Sequence, residues 1–502
     1  MREKISRIYL IGIALLFPQV IHRSYFDILE TKQAFYMIWT LAALFAFLLC
    51  AAIKGDTQEK NLKNIEMRRP AWMIWGGCFL AAALLSAICS PYRAAAFTGS
   101  EGRYQGVMTL ALYGVTFFLV MKGRDRKKEF VSVCLVSGAA VCILGLCQQL
   151  MLDPFGWLGQ IQAFERPMFL STIGYINFFS CYMVMMWALT LGMCCFADGP
   201  RHVIYWAAFV LFSCGILIGN SDSGYLAAAG VFATAAAGVR GGRQAVRLTA
   251  AAGLFCVTVS VAGIWLGHGR PLTDLSGKVA GNKAVLAVGL ACLCAAALAA
   301  GYRHISQPRR EWRRKKWLLL TAAAAVAVTV AAVCALFGDD GWRTYLIWSD
   351  QWGSGRGCIW RLAWEEWIRQ PFWRKLIGSG PDTAALFLRP RDGEMTEILG
   401  YTVNNVHNEY FQYLITTGVL GLAAYLGFVY TALRRIWRER RNSPERSGLF
   451  LAAAAYLFQA AVSINQSVTT PFLVICIAAA LAKSREEKKE IQNLEKSVKF
   501  WG

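Results

Sequence analysis

The stretch that decides the fold is residues 403–428, VNNVHNEYFQYLITTGVLGLAAYLGF. Its first residues are polar, and from Tyr410 onward the sequence becomes almost continuously apolar. An apolar run of about 20 residues has the length that crosses a hydrocarbon core as a helix. The stretch therefore predicts a membrane-spanning helix that begins where a polar loop ends.

Similar apolar blocks recur along the 502-residue chain, which is 56% hydrophobic and has a mean hydropathy of +0.40. A soluble domain of this length does not need so much apolar sequence. We therefore predict an all-α polytopic membrane protein with about 12–14 transmembrane helices and one large extracytoplasmic loop. The candidate spans are residues 8–21, 34–53, 71–90, 105–121, 130–151, 169–191, 203–219, 224–239, 248–267, 284–300, 317–337, 409–433, 448–464 and 468–482.

Basic residues are distributed asymmetrically between the segments that join these spans. If the N-terminus is inside, the inside segments hold 36 of the 52 Lys and Arg residues. Eight more lie in one long outside segment, residues 338–408, and long loops are exempt from the positive-inside rule. We expect a multi-pass protein of the cell membrane with both termini in the cytoplasm and the long loop outside. The net charge of +21 then reflects topology, and no nucleic-acid partner is expected.

The predicted organisation has four parts. Residues 1–337 hold about 11 N-terminal spans, residues 338–408 form the large loop, residues 409–483 hold the C-terminal spans, and residues 484–502 form a charged cytoplasmic tail. Within the loop, residues 357–370 predict an amphipathic helix with three Trp residues on one face. We interpret it as an interfacial anchor in membrane lipid, with a substrate-guiding role as the alternative.

No metal or nucleotide site is indicated. The 16 Cys residues include no CxxC pair, so neither a disulfide framework nor a zinc site is predicted. Asp339 and Asp340 could hold a hard cation, but a solvated helix end explains them better. No P-loop sequence occurs. We therefore expect no metal and no cofactor.

His407 stands at the predicted N-terminus of the helix that follows the loop. The positive end of a helix dipole favours the neutral imidazole, which can accept a proton. A cap or a surface residue is the alternative interpretation of a His in this position. Glu409 and Gln412 lie on the same helix face, nearly one turn apart.

The run His407-Asn408-Glu409-Tyr410 with a following Leu and Gly pattern resembles a signature of the O-antigen ligase and polymerase superfamily, whose members are polytopic membrane glycosyltransferases. Four further fragments resemble segments of that family in the same order along the chain. These fragments are Gly102-Arg103-Tyr104-Gln105-Gly106, Ser171-Thr172-Ile173-Gly174 with Asn177, Gly355-Arg356 with Trp360, and Pro371 with Gly378-Ser379-Gly380.

The resemblance implies a GT-C-like fold and a metal-independent transfer or polymerisation of glycan in surface polysaccharide assembly. The donor would be an undecaprenyl-diphosphate-linked glycan, the acceptor a hydroxyl of a glycan, lipid or protein, and the reaction would take place outside the membrane. By the same resemblance His407 is the candidate catalytic base, and Arg103 and Arg356 are candidates for binding the diphosphate. Ordinary contact of each Arg with lipid headgroups is the alternative interpretation. Tyr104, Asn408, Glu409 and Asp222 are further candidate substrate-binding residues. Ligase and polymerase remain open, as does association with other polysaccharide-assembly proteins.

Asp222 departs from the family pattern. The family often has an Arg at this position in a Ser-Arg-Gly/Ser segment, and this chain reads Ser221-Asp222-Ser223. A carboxylate cannot bind a diphosphate by charge. Either Arg103 or Arg356 supplies that contact, or the substrate head differs. Asp222 could also pair with one of these Arg residues, or be an exposed acid in a turn.

Two other classes of function remain as alternatives. A transporter or lipid flippase would carry ionisable groups within its spans, and the predicted spans contain almost none. A non-enzymatic membrane scaffold or receptor would use the basic cytoplasmic loops, but topology already explains their charge.

Overall fold

The computed structural model describes residues 1–53, 70–123, 125–305, 347–440 and 443–482. The predicted span at 317–337, the Asp339–Asp340 pair and the tail at 484–502 lie outside the described residues.

Helices make up most of the described chain. The helices before the long loop are α1 (Arg2–Leu15), α2 (Ile28–Ile53), α3 (Ala71–Cys89), α4 (Arg93–Thr98), α5 (Val107–Lys122), α6 (Lys127–Gln149), α7 (Ile176–Phe196), α8 (His202–Ile218), α9 (Asp222–Gly238), α10 (Gly242–Leu266), α11 (Asp274–Val279) and α12 (Lys283–Ile305). Those of the loop and after it are α13 (Trp352–Arg369), α14 (Phe372–Ile377), α15 (Ala384–Leu388), α16 (Asp392–Leu399), α17 (Glu409–Glu439), α18 (Pro444–Ala460) and α19 (Thr470–Leu481).

Two short strands, β1 (Phe169–Leu170) and β2 (Gly174–Tyr175), pair antiparallel just before α7. Single 3-10 turns occur at Phe17–Gln19, Leu158–Gln160, Arg166–Met168 and Arg389–Arg391.

Seven of the described helices are long and apolar enough to cross a membrane, namely α2, α3, α6, α7, α10, α12 and α17. Three shorter apolar helices, α5, α8 and α19, accompany them. The predicted all-α polytopic class is thereby confirmed. Helices α9 and α18 largely overlap the predicted spans at 224–239 and 448–464, whereas α1 ends at Leu15 and overlaps only the first half of the span predicted at 8–21. The total of 12–14 spans stays a prediction.

Helix α7 is the centre of the bundle, and its membrane-spanning window is wholly buried inside the protein. Trp187 on this helix contacts aromatic rings of α8, α9 and α10. A side chain at Gly192 would collide with the backbone of Gly448 on α18. Small residues at a helix crossing let two backbones approach closely, which supplies packing energy where lipid offers no hydrophobic driving force.

Lys32 near the start of α2 is completely buried. Its Nζ donates hydrogen bonds to the carbonyl oxygens of Phe17, Pro18 and Val20 at 3.2, 3.1 and 2.9 Å. Carbonyl groups at a helix end have no partner within the helix. The ammonium group of Lys32 supplies hydrogen-bond donors to the three carbonyl groups at the turn after α1. We therefore interpret Lys32 as a residue that stabilises this turn.

Helix α17 is broken at Gly418, whose φ is +70°. The backbone N–H groups of Ser379 and Gly380 donate to the carbonyl oxygens of Ile415 and Thr416, at 3.1 and 2.8 Å. The hydroxyl of Ser86 on α3 also donates to the Thr416 carbonyl, at 2.7 Å. The loop thus supplies hydrogen-bond donors to carbonyl groups that the break removes from the helical pattern.

The described part of the long loop, residues 347–408, packs around a small apolar core of its own. Arg361 bridges Asp350 and Glu394 at 3.0 and 3.1 Å, and Arg391 binds the same Glu394 at 2.9 Å. These ion pairs join α13 to α16. Networks of charges with shared partners stabilise a surface more than isolated pairs do.

The predicted amphipathic helix at 357–370 forms the larger part of α13, and its Trp residues divide between two environments. Trp360 and Trp367 pack against the core of the loop, and the indole of Trp360 donates to the Val406 carbonyl at 2.7 Å. Trp364 is 47% exposed, and Ile368 and Phe372 beside it are also exposed. Contact with membrane lipid therefore stays a prediction for this exposed patch alone.

Candidate functional site

A cavity of about 730 Å³ lies where the long loop meets the helix bundle. We call it the loop cavity. Its walls come from the start of α2, the turn before α5, the start of α7, the connection between α18 and α19, and two parts of the long loop. Segments far apart in sequence thus converge on one space.

Four of the residues predicted from sequence line this cavity together. They are Arg103, Tyr104, Arg356 and His407. The other three predicted residues, Asn408, Glu409 and Asp222, are not among its lining residues. Their placement is described below.

Arg103 is held in position by Asp382. Its Nε donates to Asp382 Oδ1 at 2.7 Å, and the two side chains are 4% and 0% exposed. Both terminal guanidinium nitrogens of Arg103 are buried and have no hydrogen-bond partner within the described residues. A guanidinium fork with two unused donors in a cavity wall is suited to bidentate binding of an oxyanion.

The turn that carries Arg103 depends on left-handed backbone positions. Gly99 and Gly102 have φ values of +91° and +73°, and Tyr104 follows at +56°. The other carboxylate oxygen of Asp382 accepts the backbone N–H groups of Ser100 and Gln105 at 2.8 and 3.0 Å. A single buried carboxylate therefore fixes both the turn and the guanidinium.

Arg356 lies at the irregular start of α13, where its Nη1 donates to the Gly353 carbonyl at 2.6 Å. Burial lowers the pKa of Arg356, while the nearby charge of Asp222 raises it. The Nε of Arg356 is buried without a partner in the described part of the chain. Arg356 therefore offers the cavity a second cationic group with unused donor capacity.

Asp222 begins α9, and its Oδ1 accepts the backbone N–H of Leu275 at 3.0 Å. Its negative charge acts on Arg356 from outside the lining of the loop cavity. Of the alternatives that the sequence leaves open, this arrangement favours an electrostatic partnership of Asp222 with Arg356.

His407 has a left-handed backbone, with a φ of +48°. Its backbone N–H donates to Asn405 Oδ1 at 2.8 Å, which supports this unusual conformation. Burial lowers the pKa of the imidazole to about 3, and the charges of Arg356 and Arg103 act in the same direction. The imidazole is therefore neutral near pH 7, as predicted, but burial and two guanidinium groups are the cause rather than the helix dipole.

Asn408 is the N-cap of α17, and its Oδ1 accepts the backbone N–H of Phe411 at 3.0 Å. Such a cap satisfies one of the free N–H groups at the start of a helix. The substrate-binding role predicted for Asn408 stays a prediction, whereas its capping role is visible. The cap fixes where the helix begins and thereby where His407 stands.

Glu409 points away from the loop cavity into the helix bundle. Its two carboxylate oxygens accept hydrogen bonds from the hydroxyls of Tyr425 and Tyr456, at 2.7 and 2.8 Å. The residue is 1% exposed and borders a separate apolar groove of about 210 Å³ between α3, α5, α17 and α19. Direct substrate contact by Glu409, as predicted, would require access through this groove.

Sequence reasoning missed Asp382. Its only local signal is an acid that directly follows the Gly378-Ser379-Gly380-Pro381 segment, and nothing in that spacing pairs it with an Arg 279 positions earlier. The structure also adds Tyr175, Tyr401, Gln466 and several carboxylates to the cavity wall. No group of three or more His, Cys, Asp or Glu side chains within the described residues could hold a metal ion.

Comparison with known proteins supports the sequence interpretation over part of the chain. Residues 283–426 match the family described as O-Antigen ligase. The match includes Arg356, Asp382 and His407, and it confirms the resemblance to the O-antigen ligase and polymerase superfamily. No curated protein matches the chain.

Proposed function

We propose that this protein transfers or polymerises a glycan from a polyprenyl-diphosphate carrier onto an acceptor hydroxyl at the outer face of the membrane. The observation that carries the proposal is the convergence of Arg103, Arg356 and a neutral His407 on one cavity. The matched family of surface polysaccharide assembly agrees with this chemistry.

The donor's leaving group calls for cationic hydrogen-bond donors. When the bond between the anomeric carbon and the phosphate oxygen breaks, negative charge develops on that oxygen. Arg103 and Arg356 both present guanidinium nitrogens without partners in the described part of the chain. Preorganised donors aimed at developing charge commonly lower a reaction barrier more than any other single effect.

The acceptor hydroxyl must lose its proton as its oxygen attacks the anomeric carbon. The neutral imidazole of His407 can take this proton. A pKa near 3 makes a weak base, because burial and, to a lesser extent, the two positive guanidinium groups oppose protonation. A diphosphate bound between Arg103 and Arg356 would offset their charge and raise the pKa of His407, so donor binding would prepare the base for the acceptor.

The proposed reaction balances without a metal or a redox partner. A glycosidic bond forms at the acceptor oxygen, the bond to the phosphate breaks, and His407 holds the released proton. The carrier diphosphate leaves with the charge that Arg103 and Arg356 stabilise. Whether one glycan or a growing chain is transferred depends on the acceptor that enters the cavity.

The test uses the full chain reconstituted in liposomes with a polyprenyl-diphosphate oligosaccharide and a soluble acceptor oligosaccharide. We expect His407→Ala to reduce product formation at least about 100-fold, the usual contribution of a general base. His268→Ala serves as the matched control, since His268 is exposed and lies outside the lining of the loop cavity. Wild-type product levels from His407→Ala would refute the proposed mechanism.

A further inference from the structure

The charged residues that line the loop cavity differ in how deeply they are buried. Arg103 is 94% buried, counted over the whole residue, and Arg356 is half-buried. Two carboxylates that also line the cavity, Glu30 and Glu101, are exposed, and a third, Asp392, is half-buried like Arg356. Arg103 is thus the deepest charged residue of the cavity, and Glu30 and Glu101 are the most exposed. We call Arg103 and Arg356 the floor of the cavity and the three carboxylates its rim.

The rim carboxylates differ from Asp27, which lines the same cavity and binds the imidazole of His22 at 2.7 Å. No ion pair within the described residues involves Glu30, Glu101 or Asp392. Their charge is therefore not cancelled by a neighbouring cation of the described chain. The rim presents net negative charge around an opening whose floor is positive.

Aromatic rings stand beside these carboxylates. Phe26 is 68% exposed and Tyr401 48% exposed, and both line the cavity. Flat rings next to hydrogen-bond acceptors match a sugar, whose C–H faces are apolar and whose hydroxyl groups are donors.

From this arrangement we infer that the cavity selects glycans that carry no negative charge on the sugars next to the diphosphate. The inference rests on the proposed function, because it places the diphosphate on the floor at Arg103 and Arg356. A second, independent observation is that both terminal nitrogens of Arg103 are buried and have no hydrogen-bond partner in the described residues, so an anionic group bound to them would lie deep. The sugars then lie at the rim, where uronic acids meet like charge and neutral or amino sugars do not.

The experiment compares three polyprenyl-diphosphate disaccharides that differ only at C6 of the second sugar. At this position the sugar has a hydroxymethyl group, a carboxylate or an aminomethyl group, of which C6 is the carbon. With the full chain in liposomes, we expect kcat/KM for the carboxylate donor to be at least about tenfold below that for the neutral donor, since each like-charge contact at about 4 Å in water is worth roughly fivefold. The aminomethyl donor should equal or exceed the neutral one.

The triple variant Glu30→Gln/Glu101→Gln/Asp392→Asn should narrow the ratio between neutral and carboxylate donors to within about threefold. Glu397→Gln is the matched control, since Glu397 is an exposed acid on the same helix as Asp392 but does not line the cavity. It should leave the ratio unchanged. In the wild type, added salt should also narrow the ratio, because exposed charges are screened over about 10 Å at 0.1 M ionic strength.

Equal use of the carboxylate and neutral donors by the wild type would overturn the inference and leave the proposed function in place. The same holds for an unchanged ratio in a triple variant that still processes the neutral donor. Failure of the wild type on all three donors would overturn the proposed function itself. If the triple variant does not fold, the salt dependence of the wild-type ratio decides, and a ratio that salt does not alter rejects the inference.

Discussion

The Nε of Arg103 lies 2.7 Å from Oδ1 of Asp382, although the two residues stand 279 positions apart in the sequence. This pair fixes the Nε edge of the guanidinium and leaves both terminal nitrogens without a hydrogen-bond partner in the described residues. It joins the turn before α5 to the long loop, two segments that nothing in the sequence links.

The first prediction concerns this pair. Asp382→Asn removes the charge that balances a buried guanidinium, and breaking a buried ion pair on one side commonly destabilises a protein by about 3–5 kcal/mol. We expect a lower unfolding temperature and a donor KM raised at least about tenfold, because Arg103 loses its fixed orientation. Thermal unfolding and transfer kinetics in detergent or nanodiscs measure both effects.

The double variant Arg103→Met/Asp382→Asn separates the two effects. Removing both charges should restore much of the stability, since replacing a complete buried ion pair by neutral groups is often close to neutral. Activity should remain low, because the diphosphate has lost a ligand. Recovery of activity in the double variant would contradict the role assigned to Arg103.

The second prediction concerns the shape of the cation at Arg356. Arg356→Lys keeps the charge but replaces a planar fork by a point charge with different donors. We expect kcat/KM for the donor to fall roughly tenfold, with protein levels in the membrane unchanged. Arg369→Lys on the same helix is the control, since the Arg369 side chain is 64% exposed. Equal activity of Arg356→Lys and wild type would show that charge alone suffices.

The third prediction concerns Asp222. Its charge acts on Arg356 and partly offsets the positive field that would attract a diphosphate. Asp222→Asn retains an oxygen that can accept the Leu275 N–H, yet removes the negative charge. We therefore expect a donor KM lowered a few-fold at low ionic strength, with the difference shrinking as salt is added. A raised KM would instead assign the carboxylate a direct part in binding.

The fourth prediction is a pH dependence of stability. The pKa of His407 is about 3 in the folded protein, against about 6.5 for an unperturbed His. The unfolded chain therefore binds a proton that the folded protein does not, so this contribution is present above about pH 6.5 and is lost as the pH falls toward 3.

The expected difference between pH 8 and pH 5 is at most about 2 kcal/mol for this one group, because the ring borders an open cavity. Unfolding of wild type and His407→Gln should be compared at both pH values. The wild type should lose more stability than the variant as the pH falls. A pH dependence that is the same in both proteins would show that the imidazole is already protonated in the folded state.

The fifth prediction concerns the break in α17. A methyl group at Gly418 or Gly378 would collide with backbone atoms of the other segment, and both residues have positive φ values. We expect Gly418→Ala and Gly378→Ala each to reduce the amount of folded protein several-fold, as judged by gel filtration in detergent. Gly393→Ala is the control, because a side chain there meets open space. Normal yields of Gly418→Ala and Gly378→Ala would show that the backbone at the break can shift to accept a methyl group without loss of folded protein.

Sequence reasoning predicts the class of fold and four of the residues that line the loop cavity. Apolar blocks and basic loops are local signals, so the helices can be located from them. Their ends are less well predicted, since the span expected from residue 169 begins as a helix only at Ile176, after β1 and β2. Arg103, Arg356 and His407 are found because motif order along the chain resembles a known family. Their convergence depends on packing, which only the structure reveals.

The environment of each group could not be predicted in the same way. Helical spacing places Glu409 on a face of α17, but it does not say that Tyr425 and Tyr456 cover that face. The same limit applies to Asp382, whose hydrogen-bond partners come from a turn far upstream in the sequence. It also applies to Trp360 and Trp367 of α13, which pack against the core of the loop. Burial and partner identity follow from long-range contacts.

The dependence of α17 on the long loop has a consequence for how such proteins can diversify. The N–H groups of Ser379 and Gly380 donate to the carbonyl oxygens of Ile415 and Thr416. Because of these contacts, we expect the loop and the broken helix to be inherited together. Recombination that exchanges the loop alone between distant relatives would combine a loop and a helix whose hydrogen-bonding groups do not match. Exchanges that carry both segments would keep them matched, so natural crossovers should fall outside residues 378–418.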